Sequence, residues 1–228
     1  MTVRGDRRLQ ETLRDLTTTL NATGAGWMVI GGIAAIARGV RRFTADIDAT
    51  IRGDEIMIDQ LLSALAKNSI TARIEGAADF ARENLVLLVR HDSSGVEIDL
   101  TLAWTEFERD AIAAATIAAF GTEKAPMALP EDLVVFKAIA ARGKDMDDVA
   151  ALLALYPKLD LAAVRARVRE LAALADAPEL VRGLDLAIVT ARGSLEPTRQ
   201  RTSRPRKKRR GSRRRKRSDE QAAQRVCE

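Results

Sequence analysis

The chain has 228 residues, 46% hydrophobic and 30% charged, a balance that supports a buried core and excludes a wholly disordered polymer. Its one cysteine, Cys227, and one histidine, His91, exclude a disulfide framework, a cysteine-rich metal site and any metal centre needing two histidines. The net charge of +5 joins two unlike parts: residues 199–217 hold 13 Lys/Arg and no acid, and setting them aside with the −2 of the last eleven residues leaves −6 on residues 1–198.

The chain starts MTVRGDRRLQETLRDL, with no apolar stretch after its charges, so a secretory signal is not expected. No run approaches the roughly 18 apolar residues of a membrane span, and the expectation is a soluble, cytoplasmic protein without membrane contact. Leu9, Leu13, Leu16 and Leu20 recur at helical intervals and predict a helix from Arg7 to Asn21, broken at Asn21-Ala-Thr-Gly24. Gly26-Trp-Met-Val-Ile-Gly-Gly32 reads as a buried strand turning into a short helix, Ile33 to Arg38. The basic loop Gly39-Val-Arg-Arg-Phe43 leads to Thr44-Ala-Asp-Ile-Asp-Ala-Thr-Ile51, which alternates polar and apolar from Asp46 onward, as a half-buried strand does.

Residues 54–66 form an amphipathic pattern beginning with Asp54 and Glu55, followed by a strand over Thr71–Glu75 and a short helix over Ala77–Glu83. Leu85 to Arg90 and Val96 to Leu102 flank the turn His91-Asp-Ser-Ser-Gly95 and predict a hairpin. Residues 105–115 are expected to be helical, and 116–128 to form one or two short strands. After Pro130 the composition turns to Ala and Leu, with helices expected near 130–142, 145–155, 160–174 and 177–191. The organisation is α+β: an α/β core over 1–128, a helical half over 129–195, and a basic low-complexity tail over 196–228 that cannot bury a core and is expected to be disordered.

Chemistry concentrates in Gly31-Gly32, Asp46-Ile-Asp48 and Asp99. Asp46 and Asp48 share one face of a strand, about 7 Å apart along it. Asp99 stands on a second alternating strand, with Glu97 on its face. If the two strands are neighbours, three carboxylates converge into a hard-oxygen cluster of the kind that binds Mg²⁺ beside phosphates. The glycine turn opens a helix, whose free N–H groups favour a phosphate.

Gly31-Gly32, the spacing to Asp46-x-Asp48 and a third Asp on a later strand resemble the nucleotidyltransferase fold of the DNA polymerase beta superfamily. Arg42-Phe-Thr-Ala-Asp-Ile-Asp48 is similar to abortive-infection nucleotidyltransferases of the AbiEii type, which include toxins of toxin–antitoxin systems. Pro130-Glu-Asp-Leu-Val-Val-Phe-Lys137 and Lys144-Asp-Met-Asp-Asp148 match the order of motifs in their helical half. The resemblance covers about residues 26–155. It implies Mg²⁺-dependent transfer of a nucleoside monophosphate from an NTP to an acceptor, with pyrophosphate released. It also implies that Asp46, Asp48 and Asp99 hold the metal, that Asp99 deprotonates the acceptor, and that Gly31 and Gly32 shape the phosphate turn. Thr44 lies where such toxins often have serine, Lys137 would contact the triphosphate, and Asp145 or Asp148 would support it. The superfamily usually has Ser or Thr after the glycines; this chain has Ile33.

Other readings stay open at this level. Lys137 has only apolar neighbours at i−4, i−3 and i+4, so it either snorkels from a core edge or points into a cleft. Asp145 either supports it or caps the following helix, whose first turn suits carboxylates. Arg41 and Arg42 hold triphosphate or RNA, or form a solvated loop. His91, in a turn, reads as a surface residue; Arg165, Arg167 and Arg169 read as structural, and Trp27 and Trp104 as core. The tail 199–217 binds RNA or DNA through phosphates, serves as an address, or is dispensable; without aromatics it reads no bases. The function expected is a transferase acting on RNA such as tRNA, in a toxin–antitoxin or phage-defence role with a cognate antitoxin or other partner. The rivals are a transferase for an aminoglycoside-like small molecule and a degenerate binding module that kept the fold.

Overall fold

Alternation of apolar and polar residues sorts the central strands into two faces, and the register of the sheet keeps the faces consistent. The computed structural model of the chain describes residues 7–195. Its elements in chain order are α1 (Arg7–Thr23), β1 (Trp27–Val29), α2 (Gly31–Ala37), β2 (Ile47–Arg52), α3 (Ile58–Ala66), β3 (Ile70–Ala72), α4 (Ala77–Asn84) and β4 (Val86–His91). There follow β5 (Glu97–Ala103), α5 (Glu106–Ala114), β6 (Thr116–Phe120), β7 (Glu123–Met127), α6 (Pro130–Ala140), α7 (Gly143–Leu155), α8 (Leu161–Leu174) and α9 (Glu179–Leu195). The seven strands make one mixed sheet in the order β3-β4-β5-β2-β1-β7-β6. β2 runs parallel to β5 and β1 parallel to β7, while the β4–β5 hairpin and the remaining pairs are antiparallel.

In the β2–β5 pair Ile47 faces Ile98, Ala49 faces Leu100 and Ile51 faces Leu102; in β4, Val89 faces Ile98 and Leu87 faces Leu100. All eight are buried and form the core face. Asp48, Thr50, Leu88, Asp99 and Thr101 therefore occupy the other face. In α1, Leu9, Leu13, Leu16 and Leu20 are buried on one stripe, each contributing about 1.5–3 kcal/mol of gross burial before the entropy of ordering is subtracted.

Local chemistry sets several boundaries. Thr105 and Glu108 form a capping box that starts α5, worth about 1 kcal/mol. Pro130 opens α6, whose missing N–H would have had no helical partner, and Asp160 caps α8 by accepting from the N–H groups of Ala162 and Ala163. The helix expected from residue 54 begins only at Ile58: Glu55 accepts a hydrogen bond from the Gly26 N–H (2.9 Å) and pairs with Arg52, so residues 53–56 are drawn to the end of the sheet. β3 is shorter than Thr71–Glu75, and α9 continues past residue 191. Among the described residues, no helix is long and apolar enough to cross a membrane. The expectations for residues 196–228 lie outside the described residues.

Candidate active site

Asp48 is seated against the two glycines. The Ile30 N–H donates to the Asp48 carbonyl (2.9 Å), tying the end of β1 to the start of β2. Gly31 has φ +62°, and a Cβ there would lie 1.8 Å from Asp48 Oδ2. Only glycine permits both this backbone and this approach. A Cβ on Gly32 would lie 2.4 Å from Thr44 Oγ1, and the Gly32 N–H hydrogen-bonds to the Asp48 carboxylate. The turn expected to receive a phosphate thus holds Asp48's carboxylate and Thr44's hydroxyl, and Ile33, where a hydroxyl residue is usual, is fully buried in the core.

Asp46 lies just before β2, and its Oδ1 accepts a hydrogen bond from Thr44 Oγ1 (2.8 Å). Asp48 stands directly opposite Asp99 in the parallel β2–β5 pair, which makes the two strands neighbours as the carboxylate cluster requires. Burial raises the Asp48 pKa above its ordinary value, and the charges of Asp46 and Asp99 raise it further; Lys137 and the Gly32 N–H oppose the rise. Three hard-oxygen donors that repel one another suit a divalent cation. Among the described residues, however, no group of three His, Cys, Asp or Glu side chains already stands assembled to hold a metal. Asp99 is instead ion-paired to Arg73 through Oδ1.

Lys137 sits among charges as well as apolar neighbours. It is buried on α6, and its Nζ contacts Asp145 (2.9 Å) and Asp148 (3.0 Å), both buried on α7. Asp145 does not cap α7, whose N-cap is Arg142 without a side-chain cap. Arg142 Nε donates to Asp145 Oδ2 (2.6 Å), and Arg42 pairs with Asp148. Burial pushes the Asp145 pKa up, but the hydrogen bonds from Arg142 and Lys137 outweigh it and hold the carboxyl below its usual range. The cluster joins the loop before Asp46 to α6 and α7, and Lys137 is near enough to Asp48 to favour its charged form.

Three residues near the carboxylates carried no mark in the sequence reading. Arg73 stands beside Asp99; Arg142 is largely exposed and feels the charges of Asp48 and Asp46; and Phe43, 89% exposed, lies three residues before Asp46. An arginine between Lys137 and Asp145 was a signal available for Arg142; Arg73 offered none. Two expectations are corrected. His91 is buried rather than on the surface, because α1 covers it: Nε2 faces Asp15 Oδ2 (3.0 Å) and Nδ1 faces Ser94 Oγ (2.9 Å). Trp104 is exposed while Trp27 is buried, since Trp104 lies beyond the end of β5. Arg165 and Arg167 pair with Asp185 and Asp110, away from the carboxylates.

Residues 9–182 match the sequence family described as nucleotidyl transferase of unknown function (DUF2204). The chain belongs to this family. It is a nucleotidyltransferase. Among solved structures, the transferase is similar to ANT(2")-Ia in complex with adenylyl-2"-tobramycin, with TM-score 0.51 and 17% identity over 71% of this chain and 98% of that one. It is also similar to an antigenic nucleotidyltransferase-like protein from Paracoccidioides brasiliensis, with TM-score 0.47 and 16% identity over 79% of this chain and 94% of that one. No curated protein sequence matches it. The mixed sheet with flanking helices is the nucleotidyltransferase fold, and in the transferase the Asp48–Asp99 pair and the glycine turn meet at one end of β2.

Proposed function

We propose that Asp46, Asp48 and Asp99 form the catalytic centre of a Mg²⁺-dependent transfer of a nucleoside monophosphate from an NTP to an acceptor hydroxyl. The observation that carries this reading is the register of β2 with β5, which sets Asp48 opposite Asp99 while Asp46 adds its charge to the same group. These three side chains would hold the metal, which when bound supplies charge neutralisation at the phosphates. The acceptor oxygen attacks the α-phosphorus, its bond to the bridging oxygen breaks, and pyrophosphate leaves with the electron pair. Asp99, once separated from Arg73, takes the acceptor's proton. Arg142, exposed near the carboxylates, and Arg41, exposed on the loop before Asp46, offer guanidinium groups to the triphosphate; Lys137, held by Asp145 and Asp148, organises the site through them. Arg42 and Thr44 position the loop through Asp148 and Asp46.

The acceptor in this reading is RNA such as tRNA. The 13 basic residues of 199–217 supply sequence-independent attraction to phosphates, and the exposed ring of Phe43 supplies a stacking surface for a base. The role is that of a toxin–antitoxin or phage-defence enzyme with a cognate antitoxin partner. A second reading, a polycationic small-molecule acceptor such as an aminoglycoside, is favoured by the −6 charge of residues 1–198 and by the likeness in fold to ANT(2")-Ia.

The test is label transfer from each of four α-labelled NTPs with Mg²⁺, offered total RNA in one arm and aminoglycosides in another, with Asp46→Asn alongside. Label in one RNA class, absent with the variant, is the expected result. Label in the small molecule selects the second reading, and no label in RNA, protein or small molecule from folded protein overturns both. Removing residues 199–228 is expected to weaken RNA binding and flatten its dependence on salt.

A further inference from the structure

Arg73 follows directly on β3, and its N–H donates to the Leu88 carbonyl (3.0 Å), which places it opposite Leu88. Leu88 is opposite Asp99, and Asp99 is opposite Asp48. Side chains of directly paired residues share a face, so Arg73, Leu88, Asp99 and Asp48 form one row across four strands. Arg73 reaches over Leu88 and splits its fork: one terminal nitrogen pairs with Asp99 Oδ1 and the other with Glu97 Oε2 (2.5 Å). Its Nε is buried and has no hydrogen-bond partner. The guanidinium is therefore held in place by the two carboxylates and not by a full set of its own hydrogen bonds. Of the three carboxylates at the site, Asp99 is the one engaged by a cation.

Resting on the catalytic reading above, we infer that Arg73 is a positioning residue that occupies Asp99 in place of the metal, and that Glu97 is where it is retained when Asp99 is released. Asp99 and Glu97 lie two residues apart on one strand face, both about half exposed, so the guanidinium keeps one ion pair while giving up the other. Two negative charges share one positive charge, and a divalent cation at the Asp46–Asp48 end competes with Arg73 for Asp99 alone. The third carboxylate joins the site only when the cation is present. Arg73 thereby sets the metal affinity of the site without itself touching the reacting atoms.

The test is titration of the full chain with Mn²⁺ alone, read by the loss of the free-ion electron paramagnetic resonance signal, for wild type and for Arg73→Gln, Arg73→Lys, Glu97→Gln, Arg73→Gln/Glu97→Gln and Asp48→Asn. Arg73→Gln is expected to tighten Mn²⁺ binding about tenfold, the scale for removing a charge a few ångströms away at a partly exposed site. Arg73→Lys keeps the charge but loses the fork, and is expected to tighten binding part of the way. Glu97→Gln, which confines Arg73 to Asp99, is expected to weaken binding several-fold in the wild-type background and to have a much smaller effect once Arg73 is gone. Unchanged or weaker binding in Arg73→Gln, with the unfolding midpoint lowered or not, overturns the role of Arg73 and leaves the carboxylate site standing. Equal effects of Glu97→Gln in both backgrounds overturn Glu97 as the retaining partner. Asp48→Asn that binds Mn²⁺ like wild type overturns the carboxylate site itself, and no binding in any variant overturns both.

Discussion

A methyl group on Gly31 would lie 1.8 Å from the Oδ2 of Asp48. The glycine and the carboxylate occupy space that one more carbon atom would close. Gly31→Ala is therefore expected to destabilise the fold by about 2 kcal/mol, from the positive φ and the collision together, and to lower transfer at least 100-fold by displacing Asp48. Urea unfolding and steady-state kinetics on the same variant check the two effects; a fully active Gly31→Ala would show that Asp48's placement is not critical.

Asp48→Asn removes a charge that burial and two neighbouring carboxylates disfavour. The expected outcome is loss of at least 1,000-fold in transfer with a melting temperature equal to or above that of wild type. A variant that loses stability along with activity would mean that the Asp48 carboxylate serves the fold. Asp46→Asn is expected to behave like Asp48→Asn in activity.

Lys137 lies between two buried carboxylates, so Lys137→Met leaves negative charge in the interior with only Arg142 and Arg42 as partners. A destabilisation of about 3 kcal/mol is expected, measurable by chemical denaturation. The double variant Lys137→Met/Asp145→Asn is expected to recover part of it. If Lys137→Met unfolds at the wild-type midpoint and only the KM for NTP rises, the lysine is a triphosphate ligand and not an internal tie.

Asp132, in the first turn of α6, has its pKa pushed up to about 6 by burial and by the neighbouring charge of Glu131. Below about pH 4 both folded and unfolded chains carry the proton and the group contributes no pH dependence. Between about pH 4 and 6 the unfolded chain loses the proton first, so its ionisation costs the native state stability as pH rises. Asp132→Asn is expected to match wild type below pH 4 and to be more stable above pH 6. A full displacement of this size corresponds to about 3 kcal/mol, but partial exposure and the favourable helix dipole reduce the expected gain to about 1 kcal/mol. Urea midpoints across pH 3.5 to 8 test this; a gain that is constant with pH would refute it.

The hairpin of β4 and β5 was legible because strict alternation flanks a turn signal, and Asp99 on it could be named as a site residue. That Asp99 meets Asp48 was legible only as a condition. The pairing of β2 with β5 is parallel and joins strands separated by a helix, a further strand pair and a second helix, and no local pattern encodes it. Lys137 stood out through its apolar neighbours, whereas Arg42 reaches Asp148 across 106 residues of sequence and gave no hint of it. Arg73 was invisible for the same reason: its meaning lies two strands away. His91 shows the converse failure: it ends β4 at the edge of the turn, and the helix α1 that covers it comes from more than seventy residues earlier. Local periodicity specifies elements and faces. Tertiary pairing decides which charges neutralise one another.

The burial of His91 bears on what the enzyme's chemistry can use. The chain owns one imidazole, and it is 1% exposed, with Nε2 facing Asp15 Oδ2 and Nδ1 facing the hydroxyls of Ser94 and Thr12. With that ring buried away from the carboxylates, histidine is not the expected proton carrier during turnover. Histidine-modifying reagents become probes of the α1 junction instead of inhibitors, and the single ring resonance offers a background-free nuclear magnetic resonance reporter on whether the first helix is docked.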